Sequence, residues 1–221
     1  MAAALKDIFP ATEHQPEQTR NGQPLVRRFT LEEFAEIARF LPDERLELIN
    51  GEIVMAPPPD FFHIEQTMSI EHLLAKHLPA IEKLGCRVMG SSAWYAVPRE
   101  LHAVWVSQGV KGPDHVCPDA SVCFSDYLRA NRRPPALLVV EVISVSRQSE
   151  IDRDLISKPE IYATLDIPAY WVIDRRDNSV WVHTAPADGQ YTRRTQHKGR
   201  RKLPAPGLDF LNITPAQIFA D

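Results

Sequence analysis

The run ALLVVEVISVS, residues 136–146, holds a single acid, Glu141, in a stretch that is apolar and largely β-branched as far as Ile143. Such composition predicts a strand over 137–144 buried on both faces, where a carboxylate is not left unpaired. A second strand-like run, HVCPDASVCFS at residues 115–125, carries Asp119 directly behind Pro118. Two neighbouring carboxylates cannot neutralise each other, because each raises the other's pKa; a divalent cation held between them can. The pair therefore points to metal-assisted chemistry. The competing reading is a structural ion pair of Glu141 with Lys158 or Arg153.

Outward from this pair, the chain alternates helix and strand signals. Thr30 and Glu33 form a T-x-x-E capping box, with Leu31, Phe34, Ile37, Ala38 and Leu41 following at helical spacing up to Pro42. In RLELINGEIVMA, Asn50-Gly51 between alternating apolar residues predicts a hairpin, because a type I′ turn needs positive φ at both positions. A helix is expected over about 63–84, with Ile64, Met68, Ile70, Leu73, Leu74 and Leu78 inward and Pro79 kinking or dividing it. Strands are expected over 86–97 and 117–124, then a helix from Ser144 to Leu165, a hairpin about Asp177-Asn178-Ser179, a polar strand near 189–196, and a short last helix capped by Thr214-Pro215. Segment 99–116 carries no clear signal. This order implies an α/β fold, a mixed central β-sheet flanked by helices, with an N-terminal helix and β-hairpin.

Composition sets ordinary bounds. A length of 221 residues, 44% of them hydrophobic, suffices for one core, and residues 28–221 are expected to form one domain behind a loosely ordered tail of 1–27. A net charge of −4 excludes the gross positive charge of proteins that coat nucleic acid. Cys86, Cys117 and Cys123 lack C-x-x-C spacing, which disfavours zinc and disulfides and fits a reducing cytoplasm. The first residues are too polar for a signal peptide or a membrane span.

RLELINGEIVMAPPP, His63 opening a helix, CPDASV, VVEVISVS, RDLISKPEIYA and IPAYWVID, in this order, resemble the Uma-type proteins, a bacterial group of the PD-(D/E)XK nuclease superfamily. The resemblance covers roughly residues 28–219. It implies a restriction-endonuclease-like core and a Mg²⁺-dependent endonuclease, with Mn²⁺ as a substitute, acting on nucleic acid, above all DNA. Cutting both strands would be easiest for a symmetric homodimer, which presents two copies of one site. By the same resemblance Asp119, Glu141 and the backbone carbonyl of Val142 hold the cation, whose hard-oxygen preference suits them. The superfamily lysine belongs two residues after the second acid, where this chain has Ile143. The resemblance supplies it instead from the next helix as Lys158, and implies an accessory role for Glu47. Pro159 sets Lys158 at a break between short helices.

Other residues carry less. His63 reads as a helix-terminus residue, Asp152 and Asp154 as solvated or helix-end acids, and Tyr170, Trp171, Cys117 and Cys123 as core. GQYTRRTQHKGRRK, residues 189–202, holds six Lys or Arg and no acid, which suits a phosphate backbone or a charged, guarded sheet edge. The rival function is a catalytically inactive nuclease fold serving nucleic-acid binding or assembly, favoured by the missing E-x-K lysine.

Overall fold

The computed structural model describes residues 19–20, 23–24, 28–56, 58–91, 93–97, 101, 112–127, 133–143 and 148–220. Its centre is a six-stranded mixed sheet in the order β12-β11-β10-β9-β8-β5. These strands are β5 (Cys86–Met89), β8 (Ala120–Phe124), β9 (Ala136–Val142), β10 (Ala169–Asp174), β11 (Ser179–Ala187) and β12 (Gln190–Lys198). Only β9 and β10 run parallel. A parallel pair requires a crossover. Here it is a helical one: α4 (Gln148–Asp152), a π-helical segment (Arg153–Ser157) and α5 (Lys158–Thr164).

Strand alternation divides two cores. Val140, Val142, Trp171 and Ile173 face one side, beneath α2 (Phe61–Ala75), α3 (Leu78–Lys83) and the segment from Leu203 to α6 (Pro215–Ile218). Val139, Ile143, Tyr170 and Val172 face the other, beneath the crossover helices. Glu141 shares the parity of Val139 and Ile143, so it points at α5.

A second sheet, β4-β3-β7-β6, comprises β3 (Leu46–Ile49), β4 (Glu52–Met55), β6 (Tyr95–Ala96) and β7 (His115–Val116). The Asn50-Gly51 turn is the expected hairpin, at φ +54° and +76°. It is pinned by Asn50 Oδ1, which accepts Gly112 N–H at 2.7 Å, and by Gly51 N–H donating to Pro113 O at 2.8 Å. Helix α1 (Leu31–Phe40) carries the expected Thr30–Glu33 capping box and buries Phe34 against Leu46 and Leu48. Two-residue strands β1 (Thr19–Arg20) and β2 (Gln23–Pro24) pair with each other.

Several expectations are corrected. The 63–84 helix starts at an Asp60 cap and divides before α3, which takes Pro79 into its first turn. Ile70, Leu73 and Leu74 are buried as expected, but Ile64, Met68 and Leu78 are exposed. The 86–97 run splits between the two sheets. The 117–124 run gives β8 only from Ala120, since Pro118 has no N–H for a ladder. The expected tail over 1–27, apart from β1 and β2, residues 99–100 and 102–111 of the unplaced segment, and 144–147 at the start of the expected crossover helix lie outside the described residues.

Candidate active site

Asp119 immediately precedes β8 and brackets Glu141: its N–H donates to Val140 O at 3.0 Å, and its Oδ2 accepts Val142 N–H at 2.8 Å. Both acids are 2% exposed. Asp119 Oδ1 meets Arg45 Nη1 at 3.0 Å and His63 Nε2 at 3.2 Å. Arg45 also donates to Cys117 O. Burial pushes the Asp119 carboxyl up, but the His63 hydrogen bond and the charges of His63, Arg45 and Lys158 outweigh it and hold the group well below the usual carboxylate range. Burial lowers His63, yet its bond to Asp119 prevails and raises it.

Glu141 has a different environment. Its Oε1 accepts Lys158 Nζ at 2.7 Å and Tyr162 Oη–H at 2.7 Å, while Oε2 accepts neither. Burial raises the Glu141 carboxyl well above its ordinary value; Lys158 opposes this, and Asp119, Asp154 and Glu47 add to it. Lys158 Nζ also lies 3.2 Å from Glu47 Oε1 and 3.5 Å from Asp154 Oδ1. Burial alone would neutralise the lysine, but the charges of Glu141, Glu47 and Asp154 outweigh it and keep it protonated. Glu47 is fixed in turn by Cys117 N–H at 2.9 Å and faces Arg153 Nη1 at 3.9 Å.

The π-helical segment aims the lysine. Lys158 N–H reaches back five residues to Arg153 O, and Pro159, which has no N–H to satisfy, follows it in the first turn of α5. The expected break at Lys158 does not form: Ser157 and Lys158 both keep right-handed helical backbone, the helix passes from the π-helical to the α-helical pattern without interruption, and Lys158 is buried. Asp154, Lys158 and Tyr162 sit four residues apart on one helical face.

Arg45, Glu47, His63, Asp119, Glu141, Val142, Arg153, Asp154 and Lys158 line one cleft of about 50 Å³, room for an ion and a few waters. The structure brings together all five sequence-predicted residues, Asp119, Glu141, Val142, Lys158 and Glu47. Ile143, at the position of the superfamily lysine, lies outside the lining of this cleft. Asp154, read as solvated, is buried here, and the expected ion pair of Glu141 with Lys158 is also present. Arg153, weighed as a partner of Glu141, faces Glu47 instead. Arg45 and Tyr162 were not singled out for this site; the four-residue spacing was a usable signal for Tyr162 and Asp154, whereas Arg45 lies 74 residues from Asp119 in the chain.

Among the described residues no three His, Cys, Asp or Glu side chains form a cluster able to hold a metal ion. The donors nevertheless fit a hard divalent cation: Asp119, Glu141 and Val142 line the same cleft, and Glu141 Oε2 is not engaged by Lys158 or Tyr162.

A family profile described as "Uma2: Putative restriction endonuclease" matches residues 31–215. Among solved structures, one entitled a putative nuclease belonging to DUF820, from Anabaena variabilis ATCC 29413, superposes with a TM-score of 0.63 at 16% identity, over 87% of this chain and 98% of that one. At that identity the likeness shows the fold. The comparison with curated proteins finds no significant match.

Proposed function

Because the chain belongs to the Uma2 family, we propose that it is a nuclease hydrolysing DNA phosphodiester bonds, with Mg²⁺ as cofactor and Mn²⁺ as substitute. The observation that carries this reading is Lys158: missing from the position of Ile143, the lysine reaches the acid pair from the crossover helix, 2.7 Å from Glu141. Asp119, Glu141 and the Val142 carbonyl would hold the cation, which when bound would place positive charge on a phosphate oxygen and ease deprotonation of a water.

The chain's own residues do the remaining work. Lys158 orients the attacking water and offsets charge as the phosphate becomes pentacoordinate. Glu47 and Asp154 hold its ammonium in place. Arg45 and His63 fix the Asp119 carboxylate, and Arg153 meets the non-bridging phosphate oxygens at the mouth of the cleft. The register pairs Lys198 with Ser179, and Ser179 with Asp174, just beyond the Ile173–Val142 pair. The end of the basic run thereby stands at the same end of the sheet as the cleft, where a strand's backbone would pass.

Residues 28–221 act in this reading as one domain behind the 1–27 tail. A homodimer would present two such clefts to two strands. The thiols of Cys86, Cys117 and Cys123, all buried, suit a reducing cytoplasm. Among the described residues no helix is long and apolar enough to cross a membrane. The inactive-module reading draws on Ile143 and on the cations already paired with both acids. Purified protein given Mg²⁺ or Mn²⁺ with duplex, single-stranded and structured DNA decides between them: metal-dependent products absent from Asp119→Asn support the nuclease, and no product from any substrate supports the module.

A further inference from the structure

Helix α2 begins with two exposed aromatic residues, Phe61 at 72% and Phe62 at 46% exposure, immediately between Pro59 and His63, which both line the cleft. Their rings meet edge to face, with centroids 5.7 Å apart and planes at 76°. Phe62 is covered by the Arg175 guanidinium, 3.5 Å from its centroid, in the turn that follows β10. Arg175 Nη1 is itself buried and has no hydrogen-bond partner among the described residues. Phe61 adds nothing to the core, and exposing it to water is unfavourable unless something covers it.

Position and charge select the occupant. The corner adjoins the phosphate cleft, and its cation stacks on one aromatic ring while the neighbouring ring stands open. Every nucleobase has a π-face able to cover such a ring, whereas a base inside an uninterrupted duplex has both faces occupied by its neighbours. We propose that Phe61 and Phe62, backed by Arg175, form a stacking platform for an unpaired base next to the scissile phosphate, so that the preferred substrate is single-stranded or locally unpaired nucleic acid. This rests on the nuclease reading and specifies its substrate class.

The test measures binding of a fluorescein-labelled single-stranded oligonucleotide and of its duplex by anisotropy, in EDTA and again in Ca²⁺. Wild type, Phe61→Ala and Phe61→Trp are compared, with sedimentation of each protein alongside. Phe61→Ala should weaken single-strand binding about tenfold, with duplex binding nearly unchanged, and Phe61→Trp should retain the wild-type affinity. Equal single-strand affinity for wild type and Phe61→Ala, or equal losses on both substrates, overturns the platform while leaving the nuclease reading standing. A wild type that binds neither substrate removes both. Conversion of a dimer to a monomer by Phe61→Ala, with binding otherwise intact, would identify a second copy of the chain as the occupant and overturn the proposal.

Discussion

Replacing Lys158 by Met keeps most of the side-chain volume and removes the cation from among Glu141, Glu47 and Asp154, which lie 2.7, 3.2 and 3.5 Å from its ammonium. Lys158 is 3% exposed, so bulk solvent compensates its loss poorly. Breaking a buried pair from one side costs about 3–5 kcal/mol. The acids can relieve that cost only by taking up protons. Loss of the lysine raises further the folded-state pKa values of Glu141 and Asp154, both already raised by burial, so the folded variant binds more protons than the unfolded chain above the ordinary carboxylate range. Its stability relative to wild type therefore falls as pH rises, by about 1.4 kcal/mol per unit for each additional proton. Urea unfolding should show a deficit of about 3–5 kcal/mol at pH 8, most of it recovered by about pH 5.5. Adding Glu141→Gln should restore part of the loss at pH 8. A Lys158→Met protein as stable as wild type at pH 8, or a deficit independent of pH, would refute the reasoning.

Asp154, raised by burial from 3.8 to about 6 against the opposing charge of Lys158, contributes stability that is present below its unfolded value and lost as pH rises through about 6. On the order of 3 kcal/mol is involved, so Asp154→Asn should flatten the dependence of the urea midpoint on pH between about 4 and 7. Gly112→Ala would set a Cβ 2.6 Å from Asn50 O and 2.7 Å from Gly51 N, which lever the hairpin carrying Glu47 away; a loss of about 2 kcal/mol or more in chemical denaturation is expected. Changing Arg200, Arg201 and Lys202 together to Ala should weaken DNA binding across sequences and reduce its salt dependence by about one unit per lost phosphate contact. An unchanged slope with increased aggregation would assign the run to guarding β12, an edge strand.

Local chemistry was legible in the sequence wherever a few adjacent residues determine the outcome. The capping box at Thr30, the Asn50-Gly51 turn and the Thr214-Pro215 helix start all formed as read. The acid pair was legible because a carboxylate in ALLVVEVISVS demands a partner. Tertiary context decided the rest. Ile64 and Met68 of α2 are exposed although their spacing fits the helix. Arg45 joins Asp119 across 74 residues, and nothing local to DERLE marks that arginine. His63 was weighed as a helix-end residue; its backbone N–H does bond Asp60 at 2.8 Å, but its ring turns to Asp119. Asp154 reads as a surface acid until the π-helical segment turns it inward with Lys158.

The central claim is that Asp119 and Glu141 hold one divalent cation, while Lys158 acts beside it. Calorimetric titration of Mg²⁺ and Mn²⁺ into wild type, Asp119→Asn, Glu141→Gln and Lys158→Ala tests it most directly, because it reads the cation and not the reaction. One site per chain in wild type, lost in both acid variants and kept in Lys158→Ala, is the predicted result; cation binding unchanged in both acid variants would contradict the account.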